Sequence, residues 1–371
     1  MTLVEFVPPT PHPLWKLCLQ MGITDVIVKV NPSLTGLSDP WRLETLKGIV
    51  DRLASAGLKV VGLEGDPFDM SPIKEYGATG EGRAPARPER ESRAPARPER
   101  EGRAAARPEA LDHYCELLES MGALGIPLLC YNFMVGTGWA RTGVREGRGG
   151  AKATYFSLAE TPGGSRSCAT ADAQERAPPV SDAQERVPPV LKLTAEQVWA
   201  NYEHFIKTVM PVAEKWGIRM GLHPDDPCLP SLGGYARIFG SVEAYDRAYA
   251  LYPSPSNAIT FCQANFKLMG ADLEATARHF GKRIAFIHVR DVDGTKEDFT
   301  ELFHDQGTTD QFALMRVYRA LGLDVPVRGD HVPEMEGDRR LTEDCIPGYF
   351  TLGRLFANGY LKALLAGTAN P

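Results

Sequence analysis

Short apolar runs rich in β-branched residues alternate along this chain with stretches whose apolar positions recur at helical spacing. The runs fall at residues 3–7, 25–30, 58–64, 127–133, 219–223, 258–262, 284–289 and 325–330. Between them lie amphipathic segments such as 40–56, 111–124, 194–216, 273–280 and 310–321, and a final one covers 353–365. Strands that alternate with helices build βαβ units on a parallel sheet, and eight such units predict a closed (β/α)8 barrel, the TIM barrel of the α/β class. The expected organisation is a single domain over 1–371. An open doubly wound sheet is the alternative, but no G-x-G-x-x-G follows the early strands.

Two segments break the rhythm. Residues 81–110 repeat with a period of ten, as EGRAPARPER, ESRAPARPER and EGRAAARPEA. Residues 172–191 do so again, as DAQERAPPVS and DAQERVPPVL. Both are rich in Arg, Glu, Pro and Ala, and cannot bury enough apolar surface to offset the entropy of ordering. The expectation is two low-complexity loop inserts, 81–110 and 163–191, both disordered. An Arg-rich partner-binding arm is disfavoured, because interleaved Glu cancels most of the charge. The first insert follows the third strand, so it should emerge on the face where barrels carry their chemistry.

Composition narrows the class. A length of 371 residues with 43% hydrophobic positions supports a large core. The net charge of −6 gives no basis for nucleic-acid binding. No apolar stretch is long enough to cross a bilayer, and the Pro-rich first 13 residues show no secretory pattern. Seven cysteines without CxxC spacing favour reduced thiols and a cytoplasmic setting. A homo-oligomer is compatible with a barrel enzyme.

Chemistry in such barrels collects at the C-terminal ends of the strands. The last four predicted strands each end on a metal-ligating residue type: His223 in GLHPDDP, Cys262 in TFCQ, His288 in FIHVRD and Asp330 in VRGDH. Neighbouring strands stand about 4.8 Å apart, so four such ends can converge on one divalent ion. Singly, each is more readily a structural histidine, a buried thiol or a capping Asp; in succession they point to a site. Arg290, two residues after His288, shares its strand face and could clamp a substrate carboxylate, or merely pair with Asp291 or Asp293. Asp225 and Asp226 could orient ligands or cap a loop. Asn132 and Arg141, at the end of the fourth strand and in its loop with Trp139, could hold substrate hydroxyls. His304 reads as a proton-transfer group or an exposed histidine. Tyr349 reads as a proton donor or a barrel cap.

These segments resemble the mannonate dehydratase family of hydro-lyases. The resemblance is carried by YNFM at 131–134, HPDDP at 223–227, SPSNAITFCQ at 254–263, HVRDVDGT at 288–295, FHDQG at 303–307, GDHVP at 329–333 and GYFTLGR at 348–354. It implies a TIM barrel holding Mn2+ or a similar ion (Mg2+, Fe2+ or Zn2+) on His223, Cys262, His288 and Asp330, with Arg290 and Tyr349 near the substrate. It also implies dehydration of a sugar acid, D-mannonate, to 2-keto-3-deoxy-D-gluconate in hexuronate breakdown. The chain departs from the family pattern at Ala264, where Gly is usual, at Cys228, where Pro is usual, and at Gly329, where Pro is usual. A glycine there could loosen the loop carrying Asp330. The competing functions are a TIM-barrel sugar isomerase or epimerase, and an impaired paralogue whose repeats recruit a partner. On the dehydratase reading, Tyr349 and His304 are the candidates for the acid and base roles.

Overall fold

The structure is a computed structural model that describes residues 1–75, 106–161, 192–341 and 346–369. The chain opens with β1 (Thr2–Leu3) and β2 (Glu5–Val7), followed by β3 (Asp25–Lys29), β4 (Lys59–Glu64) and β5 (Leu128–Tyr131). It then leaves the wall for a hairpin, β6 (Gly143–Glu146) and β7 (Lys152–Ser157), and returns for β8 (Arg219–Leu222). A short ribbon, β9 (Ser231–Leu232) and β10 (Tyr235–Ala236), precedes β11 (Asn257–Cys262) and β12 (Ile284–Val289). A second hairpin, β13 (Val292–Thr295) and β14 (Asp298–Glu301), precedes β15 (Pro326–Gly329).

Nine of these strands form one sheet in the order β1-β15-β12-β11-β8-β5-β4-β3-β2. Its pairings are parallel. The two ends of the sheet are the two halves of one extended segment split at Val4, so β1 meets β15 while β2 meets β3 and the wall closes. The fold is therefore the expected (β/α)8 barrel, with the first predicted strand divided in two. The two hairpins join into a separate antiparallel sheet, β13-β14-β7-β6.

Period-two alternation sorts each strand between two cores. Ile27 joins Val4, Leu128, Ala258 and Phe286 inside the barrel, while its neighbours Val26 and Val28 face the helical layer. The helix Ala195–Trp216 shows how that layer is fixed. Thr194 and Gln197 form a reciprocal capping box, Gly217 ends the helix with φ +65°, and Val198, Tyr202, Phe205 and Val209 are buried along one stripe. The helix Ala106–Ala123 begins five residues earlier than expected, inside the third decamer, and Ala110 is buried. Pro108 falls in the first turn, where its missing N–H breaks no helical hydrogen bond. The assignment of 81–110 as disordered is thus corrected for 106–110. The remainder of that insert and all of 163–191 lie outside the described residues.

Candidate active site

Strands β8, β11, β12 and β15 are consecutive in the wall, and their ends bring four ligand-type side chains together. Cys262 and His288 are register partners across β11 and β12, and His288 is in turn level with Arg328 on β15. His223 is held just past β8 by its N–H to the Tyr131 carbonyl at 2.7 Å, and Asp330 just past β15 by its N–H to the Val289 carbonyl at 2.9 Å. One ligand atom from each of His223, Cys262, His288 and Asp330 lies within 4.8 Å of the others.

The donor set suits a divalent ion. His223 Nδ1 donates to the Pro224 carbonyl at 2.8 Å, leaving the Nε2 lone pair available. Burial lowers the His223 pKa and keeps the ring neutral, the form a cation needs. Both ring nitrogens of His288 are buried with no hydrogen-bond partner among the described residues. Leaving such a group unsatisfied costs about 1–3 kcal/mol, which a bound cation would offset. Glu64, Cys130 and His288 form a second convergent trio. There, however, Arg328 already takes both Glu64 oxygens, with Nη2 to Oε1 at 2.6 Å and Nε to Oε2 at 3.2 Å. Arg328 also reaches Asp330 Oδ1 at 3.0 Å, but the first set offers four ligand atoms where the second offers three.

His223 and Asp330 open on a cavity of about 390 Å3, lined also by His331, Tyr349, Trp139 and Asn132 among others, with Cys262 and His288 buried behind them. Its fixed charges are four carboxylates, Glu64, Asp66, Asp226 and Asp330, against two cations, Lys29 and Arg328. Cations stand against most of these carboxylates: Lys74 on Asp66, Arg328 on Glu64 and Asp330, and Arg141 and Arg290 on Asp226. Burial would raise the Asp330 pKa, but His331, Arg328, His288 and Arg290 outweigh it and hold the carboxyl well below the usual range. The Tyr349 hydroxyl donates to Asp330 Oδ1 at 3.2 Å. Burial and the Asp330 charge push its pKa well up, so the phenol keeps its proton at neutral pH. Asn132 spends its oxygen on Lys74 Nζ at 3.0 Å and the Met134 N–H at 3.1 Å, which leaves the amide nitrogen as a donor.

Behind the cavity lies a second group of charges. Arg141 is bidentate to Asp226 at 2.7 and 2.9 Å and donates to Glu301 from Nε at 3.0 Å. Arg290 donates to Asp226 Oδ2 at 2.8 Å and to Asn265 Oδ1 at 2.7 Å, and its Nε lies 3.3 Å from Glu301 Oε2. Neither arginine lines the cavity, and both are buried. The expected roles of Arg290 as a carboxylate clamp and of Arg141 as a hydroxyl-binding group are therefore corrected: internal carboxylates occupy both guanidinium groups. The alternative partners of Arg290 are corrected too, since Asp291 pairs with Lys267 at 2.5 Å and Asp293 is exposed. Asp225 caps its loop by accepting the Phe239 N–H at 2.8 Å.

His304 is neither exposed nor at the cavity wall. It packs beside Gly329, where an added Cβ would stand 3.1 Å from its Nε2 and 3.1 Å from the Ala357 Cβ. Gly329 belongs to β15 rather than to a loop, and its missing side chain makes room for that ring. Besides His223, the histidine that faces the cavity is His331, which the sequence motifs did not single out. Trp139 and Tyr349 pack against its ring, with centroids at 4.8 and 5.1 Å. Its φ is +20°, an uncommon backbone state for a residue with a side chain. Its place beside Asp330 in GDHVP was the one available signal. Glu301 carried none, since its role arises only when β14 folds over the barrel mouth.

Sequence and fold are similar to those of known mannonate dehydratases. The family model described as D-mannonate dehydratase (UxuA) matches residues 91–370. A mannonate dehydratase of Streptococcus agalactiae is 26% identical, over 97% of this chain and 96% of its own length. Mannonate dehydratase 2 of Halalkalibacterium halodurans is 29% identical over 68% of this chain and 74% of its own. The crystal structure of mannonate dehydratase from Streptococcus suis serotype 2 superposes with a TM-score of 0.76 at 24% identity, covering 99% of this chain and 95% of that one. An L-ribulose 3-epimerase structure shares the fold at a TM-score of 0.53 and 11% identity, covering 100% of this chain and 96% of that one.

Proposed function

Because the chain belongs to the D-mannonate dehydratase family of hydro-lyases, we propose that it removes water from D-mannonate to give 2-keto-3-deoxy-D-gluconate, in the cytoplasm, as a step of hexuronate breakdown. The observation that carries this reading is the convergence of four ligand atoms within 4.8 Å of one another, beside a carboxylate-rich cavity. His223, Cys262, His288 and Asp330 would hold one divalent ion, which we assign as Mn2+; thiolate and imidazoles favour Zn2+ on affinity, but elimination requires open coordination positions. When bound there, such an ion would supply Lewis acidity towards the negative charge that develops beside the substrate carboxylate.

The protein's own groups carry the proton steps. His331, clamped between Trp139 and Tyr349, takes the C2 proton in place of His304. Tyr349, protonated and oriented by Asp330, delivers its proton to the departing C3 hydroxyl, which leaves as water. The adjacent rings then return the proton from His331 to Tyr349, and the enol product tautomerises to the keto acid. Asn132 donates to a substrate hydroxyl. Lys29 and Arg328 supply the fixed positive charge at the wall that Arg141 and Arg290 do not.

The test is formation of 2-keto-3-deoxy acid from D-mannonate, with chelator and with Mn2+ added back. The expected result is activity lost to chelation and restored by Mn2+. Turnover that survives metal removal, restoration by Zn2+ alone, or aldose–ketose interconversion in place of keto-acid formation would each refute the assignment.

A further inference from the structure

We propose that Glu301 is a positioning residue that fixes the tautomer of His331, placing the imidazole proton on Nδ1 and the lone pair on Nε2. This rests on the reading of His331 as the proton acceptor. Three groups surround His331 Nδ1: Glu301 Oε1 at 3.0 Å, Arg290 Nη1 at 2.9 Å and Arg141 Nη2 at 3.2 Å. The first can only accept a proton and the other two can only donate one, so which of them Nδ1 bonds sets the tautomer.

Counting hydrogens decides between them. Arg141 has five N–H groups, and each has another acceptor. Its Nε donates to Glu301, its Nη1 to the Ala140 carbonyl and Asp226 Oδ1, and its Nη2 to Asp226 Oδ2 and Glu301 Oε1. It has nothing left for His331. Arg290 Nη1 has two hydrogens, one for Asp226 Oδ2 at 2.8 Å and one that can reach Asp330 Oδ2 at 3.4 Å. Glu301 has no such escape. Burial would raise its pKa, but Arg290, Arg141 and His331 hold it at about 2, so it is an anion at neutral pH. Without a proton between them, a carboxylate lone pair and an imidazole lone pair would face each other 3.0 Å apart in a water-poor interior. A proton on Nδ1 removes that repulsion and leaves Nε2, whose nearest carboxylate oxygen is Asp330 Oδ1 at 3.7 Å, as the basic atom.

Glu301 reaches this place from the accessory sheet. It ends β14, which is paired with β13 and β7 rather than with any barrel strand. The sheet laid over the mouth would thus act on the reaction through a single carboxylate.

The tautomer is read directly from 15N shifts of histidine-labelled protein loaded with diamagnetic Mg2+, the His331 signals being identified by their loss in His331→Gln. The expected result is a proton-bearing Nδ1 and a lone-pair Nε2. In Glu301→Gln, whose amide can turn its NH2 to Nδ1, the pattern should invert, and kcat should fall by about two to four orders of magnitude with KM changed only a few-fold and metal content unchanged. Glu301→Asp, which keeps the anion, should recover part of kcat. A proton on Nε2 in the unmodified protein overturns the proposal, as does a Glu301→Gln protein with an unmoved tautomer. If Glu301→Gln fails to fold, the spectrum of the unmodified protein still decides. The expected tautomer in a protein that does not dehydrate D-mannonate would sink the functional reading and leave this one standing.

Discussion

Two groups of side chains meet at the mouth of the barrel, and they are assembled in different ways. His223, Cys262, His288 and Asp330 sit at or just past the ends of four consecutive wall strands, so the barrel wall brings them together. Arg141, Asp226, Arg290, Glu301 and His331 come from loops, from one strand end and from the accessory sheet, and ion pairs link them to one another. The first group is positioned by the fold and should tolerate loss of a member without unfolding. The second is positioned by mutual neutralisation, so removing one member strands the others as buried charges.

The difference can be tested from either side. His288→Ala should abolish metal binding and lower kcat/KM by about three orders of magnitude or more, with the melting temperature of the metal-free protein nearly unchanged. Metal analysis and thermal unfolding together check this, and a large loss of stability would erase the distinction. Asp226→Asn should do the reverse, costing about 3–5 kcal/mol in denaturant unfolding because two guanidinium groups lose a shared counter-charge. Arg290→Lys keeps one charge but loses the planar fork, and we expect a stability loss of about 1–3 kcal/mol with metal content intact. A raised KM with unchanged stability would mean instead that Arg290 touches substrate.

Acid titration separates the groups more gently. Glu64 and Glu301 are each held at about 2, below their ordinary 4.5, by neighbouring arginines and histidines that outweigh burial. A carboxylate depressed in the folded state stabilises the fold above its unfolded pKa. That contribution fades as pH falls from about 4.5 towards 2. The midpoint of urea unfolding should hold steady above pH 5 and decline below it, and Glu301→Gln should flatten the decline. The smallest effect is expected at Gly329→Ala, where a Cβ 3.1 Å from both His304 and Ala357 forces a local shift costing about 1 kcal/mol. Activity that fell with stability preserved would instead link His304 to the reaction.

The same contrast explains what could be read from the sequence. The ligand quartet was legible because strand periodicity fixes each residue's level and face, and the eight runs located the wall to within a residue or two. The charge cluster was not legible, because Arg290 and Glu301 bear no periodic relation to Asp226 or His331. A guanidinium near a ligand reads equally well as a substrate clamp or as an internal counter-ion. His304 misled for a related reason: a polar residue in a loop is usually exposed, yet this one fills the space that Gly329 leaves open. The start of the helix Ala106–Ala123 was missed because composition hid its first turn within a repeat.

The split first stave has a consequence for how the barrel is made. Thr2 pairs with Pro326 and Leu3 with Val327, so during synthesis β1 waits for partners translated more than three hundred positions later. At roughly 5–20 residues per second, that wait lasts from about a quarter of a minute to about a minute. Through it β1 has an unpaired edge, as does each successive strand at the growing end of the sheet. Unpaired edges are where chains join to other chains rather than to themselves. The ring therefore cannot close until β15 has been made, and the nascent barrel depends for that interval on whatever shields its open seam.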